Sequence, residues 1–195
     1  MFAGSKFTSN AHVALAVGLL MSTGLNVALA IRSSQQRSVI ETRSGQPMAL
    51  VGATIREIEG VGRDGKRVRV SLTADERPTV VYVLQPGCGW CLRNSEAIQA
   101  LAERAGGRNR FVAVVLGNQA TDEFLDSHIP ACEVLTGIDP DFVKAYDLAG
   151  TPRTLVIAPD GTVMRNWVGA YAGELHDEIS AYFGVELPEA QLEGN

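Results

Sequence analysis

Thr79-Val80-Val81-Tyr82-Val83-Leu84-Gln85-Pro86-Gly87-Cys88-Gly89-Trp90-Cys91 is the stretch whose reading decides the fold. Thr79 to Leu84 is a Val-rich run of the length of a buried strand. Gln85-Pro86-Gly87 reads as a turn. From Cys91 onward Ala97, Ile98, Leu101, Ala102 and Ala105 recur at helical spacing, and Gly106-Gly107 closes the helix. A cysteine in the first turn of a helix faces unpaired amides and the positive end of the macrodipole. Both favour thiolate over thiol. The thiolate is the nucleophile, and a second sulfur three residues on can resolve a mixed disulfide. The pattern therefore points to disulfide exchange with another protein.

Working outward, Lys66-Arg67-Val68-Arg69-Val70-Ser71-Leu72 alternates polar and apolar after the turn Arg63-Asp64-Gly65, as a half-exposed strand does. Phe111 to Leu116 is a further buried strand. Thr121 caps a short helix with Asp122 and Glu123 in its first turn, ending before Pro130. Cys132 to Leu135 reads as a short strand. Asp139 caps a helix that has Pro140 at its first position and runs to about Tyr146. Arg153–Ala158 and Thr162–Gly169 flank Pro159-Asp160-Gly161, a hairpin signal. A last helix carries Leu175, Ile179, Tyr182 and Phe183 on one face and stops at Gly184. Strands alternating with helices, then a hairpin and a helix, predict an α/β fold with a mixed sheet covered on both faces.

The chain has 195 residues, enough for one full core plus an extra segment. Its net charge of -5 and lack of a long basic block argue against nucleic-acid binding. Three cysteines cannot build a multi-bridge framework, so one pair with one left over fits a redox or metal site. Val13 to Ile31 carries no charge and is close to the roughly 20 residues that span a bilayer. It reads as a membrane anchor, or as a secretory signal with Ala28-Leu29-Ala30 at its cleavage site. Arg32, Arg37 and Arg43 follow it, which by the positive-inside rule alone would keep the domain cytoplasmic. A signal-like segment joined to a cysteine pair fits an oxidising compartment better, so the expected location is periplasmic. The expected organisation is a tail (1–12), the hydrophobic segment (13–31), a polar linker (32–46), the redox domain (47–186) and a C-terminal tail (187–195).

From about Met48 to Phe183 the chain resembles the thioredoxin superfamily, and within it the membrane-anchored or secreted thiol–disulfide oxidoreductases of the TlpA/ResA kind. The resemblance is carried in order by DGKRVRVSL (64–72), the buried strand leading into CGWC (88–91), and DPDFVKAYDLAGTPRTLVIAPDGTV (139–163). It implies a thioredoxin-like mixed sheet flanked by helices, with one hydrophobic helix before it. It also implies that Cys88 is the attacking thiolate and Cys91 the resolving thiol. The proline matching Pro152 is cis in that family and lies beside the cysteines, leaving the Thr151 backbone to pair with a substrate strand. Trp90 reads either as packing or, within a motif at the domain surface, as a hydrophobic platform for the partner. Partners of this kind are protein thiols or disulfides, such as an apocytochrome c, with a membrane electron donor, reduction as the direction and no cofactor.

The chain departs from the family at several positions. Gly87 and Trp90 stand where the family usually has Trp before the first cysteine and Pro before the second. Tyr82 stands where thioredoxins carry a buried acid, and Glu96 is the nearest acid in sequence, on a helix face toward water. Two other readings remain at this stage. A redoxin-type thiol peroxidase needs a Thr-x-x-Cys setting, but Gln85-Pro86-Gly87-Cys88 lacks the Thr. A copper or zinc handling protein would use Cys88 and Cys91, with His128 and Cys132 the candidates to complete a zinc quartet. The copper-delivery proteins of this fold have three residues between their cysteines and a downstream His, unlike this chain.

Overall fold

The computed structural model describes residues 50–117 and 120–190. The hydrophobic segment 13–31 and the linker lie outside the described residues. Among the described residues no helix is long and apolar enough to cross a membrane.

Strands β1 (Glu57–Val61) and β2 (Arg67–Ser71) form an antiparallel hairpin closed by a turn with Gly65 at φ +76°. The main sheet holds β3 (Thr79–Leu84), β4 (Arg110–Val115), β5 (Glu133–Leu135), β6 (Arg153–Ile157) and β7 (Val163–Val168), in the order β5-β4-β3-β6-β7. β3, β4 and β5 run parallel, and β6 and β7 run antiparallel to their neighbours. The sheet is mixed, as expected. β3 lies at its centre, and all six of its residues are buried. Strand side chains alternate between faces, so Val80, Tyr82 and Leu84 enter one core while Val81 and Val83 enter the other.

The first core is covered by α1 (Gly89–Arg93), α2 (Ser95–Ala105), α3 (Asp122–His128) and α5 (Glu174–Phe183), which contribute Cys91, Ile98, Leu101, Leu125, Ile179 and Phe183. The second is covered by α4 (Pro140–Ala145), through Phe142 and Val143, and by Ile58 and Val70 of the hairpin. Thr121 and Asp139 cap α3 and α4 as expected, accepting from the backbone N–H of Phe124 at 3.2 Å and of Asp141 at 2.8 Å.

The structure departs from the sequence reading at three points. The helix after the cysteine pair is not continuous: it breaks at Asn94 into α1 and α2. β1 was not anticipated. Tyr182 does not share the buried face of α5 but lies at its margin, edge-on to Trp167 with ring centroids 5.2 Å apart. Trp167 itself is in the core, where its indole N–H donates to Glu178 at 2.8 Å.

Past Gly184, at φ +63°, the chain stays on the domain: Leu187 and Ala190 are buried, so residues 187–190 of the stretch read as a tail pack against it. His176 fastens this return through Nε2 to the Leu187 carbonyl (2.9 Å), with Nδ1 on Asp177 (3.0 Å). Both ring nitrogens can donate only in the imidazolium form. The Leu187 carbonyl, then Asp177, raise the His176 pKa above its ordinary value. A raised pKa contributes stability that is fully present below the unfolded value of about 6.5 and lost as pH rises through the folded value. Thermal melts between about pH 5.5 and 8 should therefore show the deficit of His176→Gln largest at the acid end and shrinking upward. With Asp177 exposed, the effect stays below about 1 kcal/mol.

Candidate active site

The cysteine pair sits where β3 hands over to α1. Gly87 turns the chain at φ +80°, a conformation that favours glycine, and the Cys88 N–H returns to the Gln85 carbonyl at 3.3 Å. Cys88 is the N-cap of α1, and its Sγ accepts from the Cys91 N–H at 3.1 Å. The two residues form a disulfide with Cα atoms 5.2 Å apart. Their burial is unequal: Cys91 is 1% exposed and belongs to the first core, while Cys88 is only partly buried. One residue of the pair is partly open to solvent and the other is not.

Thr151 and Pro152 lie beside the pair. The Thr151–Pro152 peptide is cis, and the Thr151 carbonyl oxygen is 3.6 Å from Cys88 Sγ. In the disulfide that sulfur carries no proton, so the approach is a contact; it becomes an S–H···O bond only when the pair is reduced. Pro152 is buried, and its carbonyl accepts from Gly169 at 2.8 Å. Trp90 is 48% exposed between the cysteines, with the Arg93 guanidinium 5.0 Å from its ring centroid. The structure thus brings Cys88, Cys91, Trp90, Thr151 and Pro152 to one end of the sheet. Glu96 is exposed, as its helix position suggested.

Sequence reading missed the residue behind the proline. Arg153 is 2% exposed, and its Nε donates to the Gly150 carbonyl (3.3 Å), its Nη1 to Asn166 (3.4 Å), with Asp147 at 3.9 Å. A Cβ on Gly150 would meet the Arg153 Nη2 at 3.2 Å. A buried guanidinium therefore holds the loop that ends in Thr151-Pro152. Burial lowers its pKa, and Asp147 opposes that.

The remaining candidates lie elsewhere. His128 is stacked on Phe124 and bonded to its carbonyl at 3.0 Å. Cys132 is a free, partly buried cysteine just before β5, and burial pushes its thiol up to about 11. Among the described residues no three His, Cys, Asp or Glu side chains gather as a metal would need, so the zinc quartet is not assembled. The Tyr82 hydroxyl is likewise pushed up by burial, to about 12, so it stays protonated near neutrality.

Against known families, the Redoxin model matches residues 50–181, which is most of the domain. The chain belongs to the Redoxin family. With its cysteine pair and thioredoxin-like fold, this Redoxin member is an oxidoreductase. Solved structures share the fold at low identity. The thioredoxin domain of a thiol–disulfide oxidoreductase from Bacteroides vulgatus aligns with TM-score 0.53 at 14% identity, covering 68% of this chain and 97% of that one. A secreted Mycobacterium tuberculosis disulfide oxidoreductase homologous to E. coli DsbE aligns with TM-score 0.52 at 18% identity (65% and 93%). A thiol:disulfide interchange protein from Bacteroides sp. aligns with TM-score 0.51 at 16% identity (69% and 90%). No curated protein sequence matches significantly.

Proposed function

We propose that this Redoxin protein reduces disulfides in other proteins outside the cytoplasm, held to the membrane by residues 13–31. The unequal exposure of the pair carries the reading: Cys88 is placed to meet a partner's sulfur, and Cys91 is kept from solvent until it is needed. In the reductive direction the Cys88 thiolate attacks a partner disulfide. A mixed disulfide forms, and one partner thiolate departs. Cys91 then loses its proton and attacks the Cys88 sulfur. The internal disulfide closes and the second partner thiolate leaves.

Trp90 and the Thr151-Pro152 segment form the surface the partner meets. An apocytochrome c is one partner of the right chemistry, and a membrane electron donor would restore the dithiol. The extracytoplasmic placement draws support from the uncharged segment 13–31 and from the secreted M. tuberculosis relative.

The equilibrium reduction potential of the full-length chain tests the direction. A reductant should lie near the roughly -270 mV of thioredoxin. A value near the roughly -120 mV of a strong oxidant would reverse the direction. Failure to form the disulfide in a glutathione buffer would sink the exchange reading altogether.

A further inference from the structure

A set of buried polar side chains lies in the same core as Cys91. Asn94, at the break between α1 and α2, is fully buried. Its Nδ2 donates to Tyr82 Oη on β3 at 3.3 Å, and its Oδ1 accepts from the backbone N–H of Tyr171 at 2.8 Å. The hydroxyls of Tyr171 and Thr154 are 2.7 Å apart. Thr154 on β6 is the register partner of Tyr82 on β3, so the two ends of this chain of contacts lie on neighbouring strands. None of the four is more than 1% exposed.

Burying an amide and hydroxyls is costly unless each finds a partner. Such a network fixes one arrangement where apolar packing would tolerate several. The arrangement it fixes spans both halves of the site. The Asn94 N–H bonds to the Trp90 carbonyl at 3.1 Å, within the turn that carries Cys91, and the Asn94 carbonyl accepts from Ile98 at 3.0 Å. At the other end, Thr154 stands two residues past Pro152.

We propose that Asn94 is a positioning residue for the second half of disulfide exchange: its amide holds the α1–α2 junction, and with it Cys91, in register with the strand that follows Thr151-Pro152. The proposal rests on the exchange reading above. Cys88 stands before α1, set by the Gly87 turn, and the Cys91 N–H that faces its sulfur is also held by the Cys88 carbonyl at 3.0 Å, so its own attack depends less on Asn94. Cys91 must bring a buried sulfur in line with the Cys88–partner bond, and a misplacement of about 1 Å can cost about a hundredfold in rate.

The two steps separate with dithiobis(nitrobenzoate), an aromatic disulfide that releases a coloured thiolate. The Cys88 thiolate attacks one reagent sulfur and expels the first nitrothiobenzoate. Cys91 gives its proton to solvent and attacks the Cys88 sulfur, closing the pair and expelling the second. Two electrons pass from the dithiol to the reagent. The measurement uses the reduced full-length chain with Cys132→Ser, so that only the pair reports.

In Asn94→Ala the first release should stay within about twofold while the second slows by about tenfold to a hundredfold. Tyr82→Phe, which keeps the ring shape and removes the acceptor oxygen, should slow the second release by a smaller factor. It carries the test if Asn94→Ala does not fold by circular dichroism. An unchanged second release in folded variants overturns the proposal, and so does equal slowing of both releases. Release of a single thiolate by the chain with Asn94 and Tyr82 intact overturns the exchange reading itself, before either variant is made.

Discussion

Serine at position 91 should leave this protein covalently attached to its partners, and serine at position 88 should leave it inert. The two outcomes follow from the same unequal burial. Cys88 is the sulfur a partner reaches; without it the buried Cys91 has no route to a protein disulfide, and exchange falls to the uncatalysed level. With Cys91→Ser the first attack proceeds, because it needs only the Cys88 thiolate. The mixed disulfide then has no internal nucleophile to resolve it. Non-reducing gels of Cys91→Ser should show partner adducts that collapse on reduction and are absent from Cys88→Ser and from the double variant. Adducts formed equally by Cys88→Ser would assign the attack to the wrong sulfur. Both substitutions are close in volume, and the core around Cys91 loses no large side chain, so the fold should survive.

Much of this site was legible because its elements are locally coded. The Val-rich run of β3, the Pro-Gly turn and the helical spacing after Cys91 each follow from neighbours in sequence, and together they place the pair at a strand-to-helix turn. The hairpin at Asp160-Gly161 was legible for the same reason: Gly161 takes φ +90°, and the Asp160 carboxylate accepts from Thr162 at 2.8 Å. What stayed hidden is coded across the chain. Gly60 interrupts the strand pattern of β1. Its reason is the Thr136 carbonyl, which a Cβ there would meet at 2.8 Å.

Asn94 falls on the same helical stripe as Ala97, Ile98 and Leu101, and a polar residue on an apolar stripe was the available signal. Its partners Tyr82 and Tyr171 are 12 and 77 residues away, so only the fold shows what it does there. Arg153 reads from sequence as a surface charge, since a cation is almost never fully buried unless paired. Gly150 and Asp147, in the loop just before it, meet Arg153 only because that loop turns back on β6, and Asn166 reaches it only once β6 and β7 are side by side.

Alkylation of the reduced chain by iodoacetamide should separate Cys88 from Cys132 by several pH units. At Cys88 two local groups compete. The Cys91 N–H, 3.1 Å from the sulfur, stabilises the thiolate; the Thr151 carbonyl, at 3.6 Å, bonds only to the thiol. The N–H contact, shared with the Cys88 carbonyl at 3.0 Å, is shorter and is backed by the amides of the first turn of α1, so the balance favours the anion. Cys88 should then titrate below the ordinary value of about 8.5. Cys132 has the opposite environment: burial pushes its thiol up to about 11, with the backbone at Ala113 and the Arg63 charge only partly offsetting this. Near pH 7, where about a few per cent of an unperturbed thiol is ionised, labelling should fall almost wholly on Cys88. Peptide mapping after a timed pulse reads both sites in one experiment. Equal labelling of the two cysteines, or an ordinary pKa at Cys88, would remove the activated nucleophile on which the exchange chemistry depends.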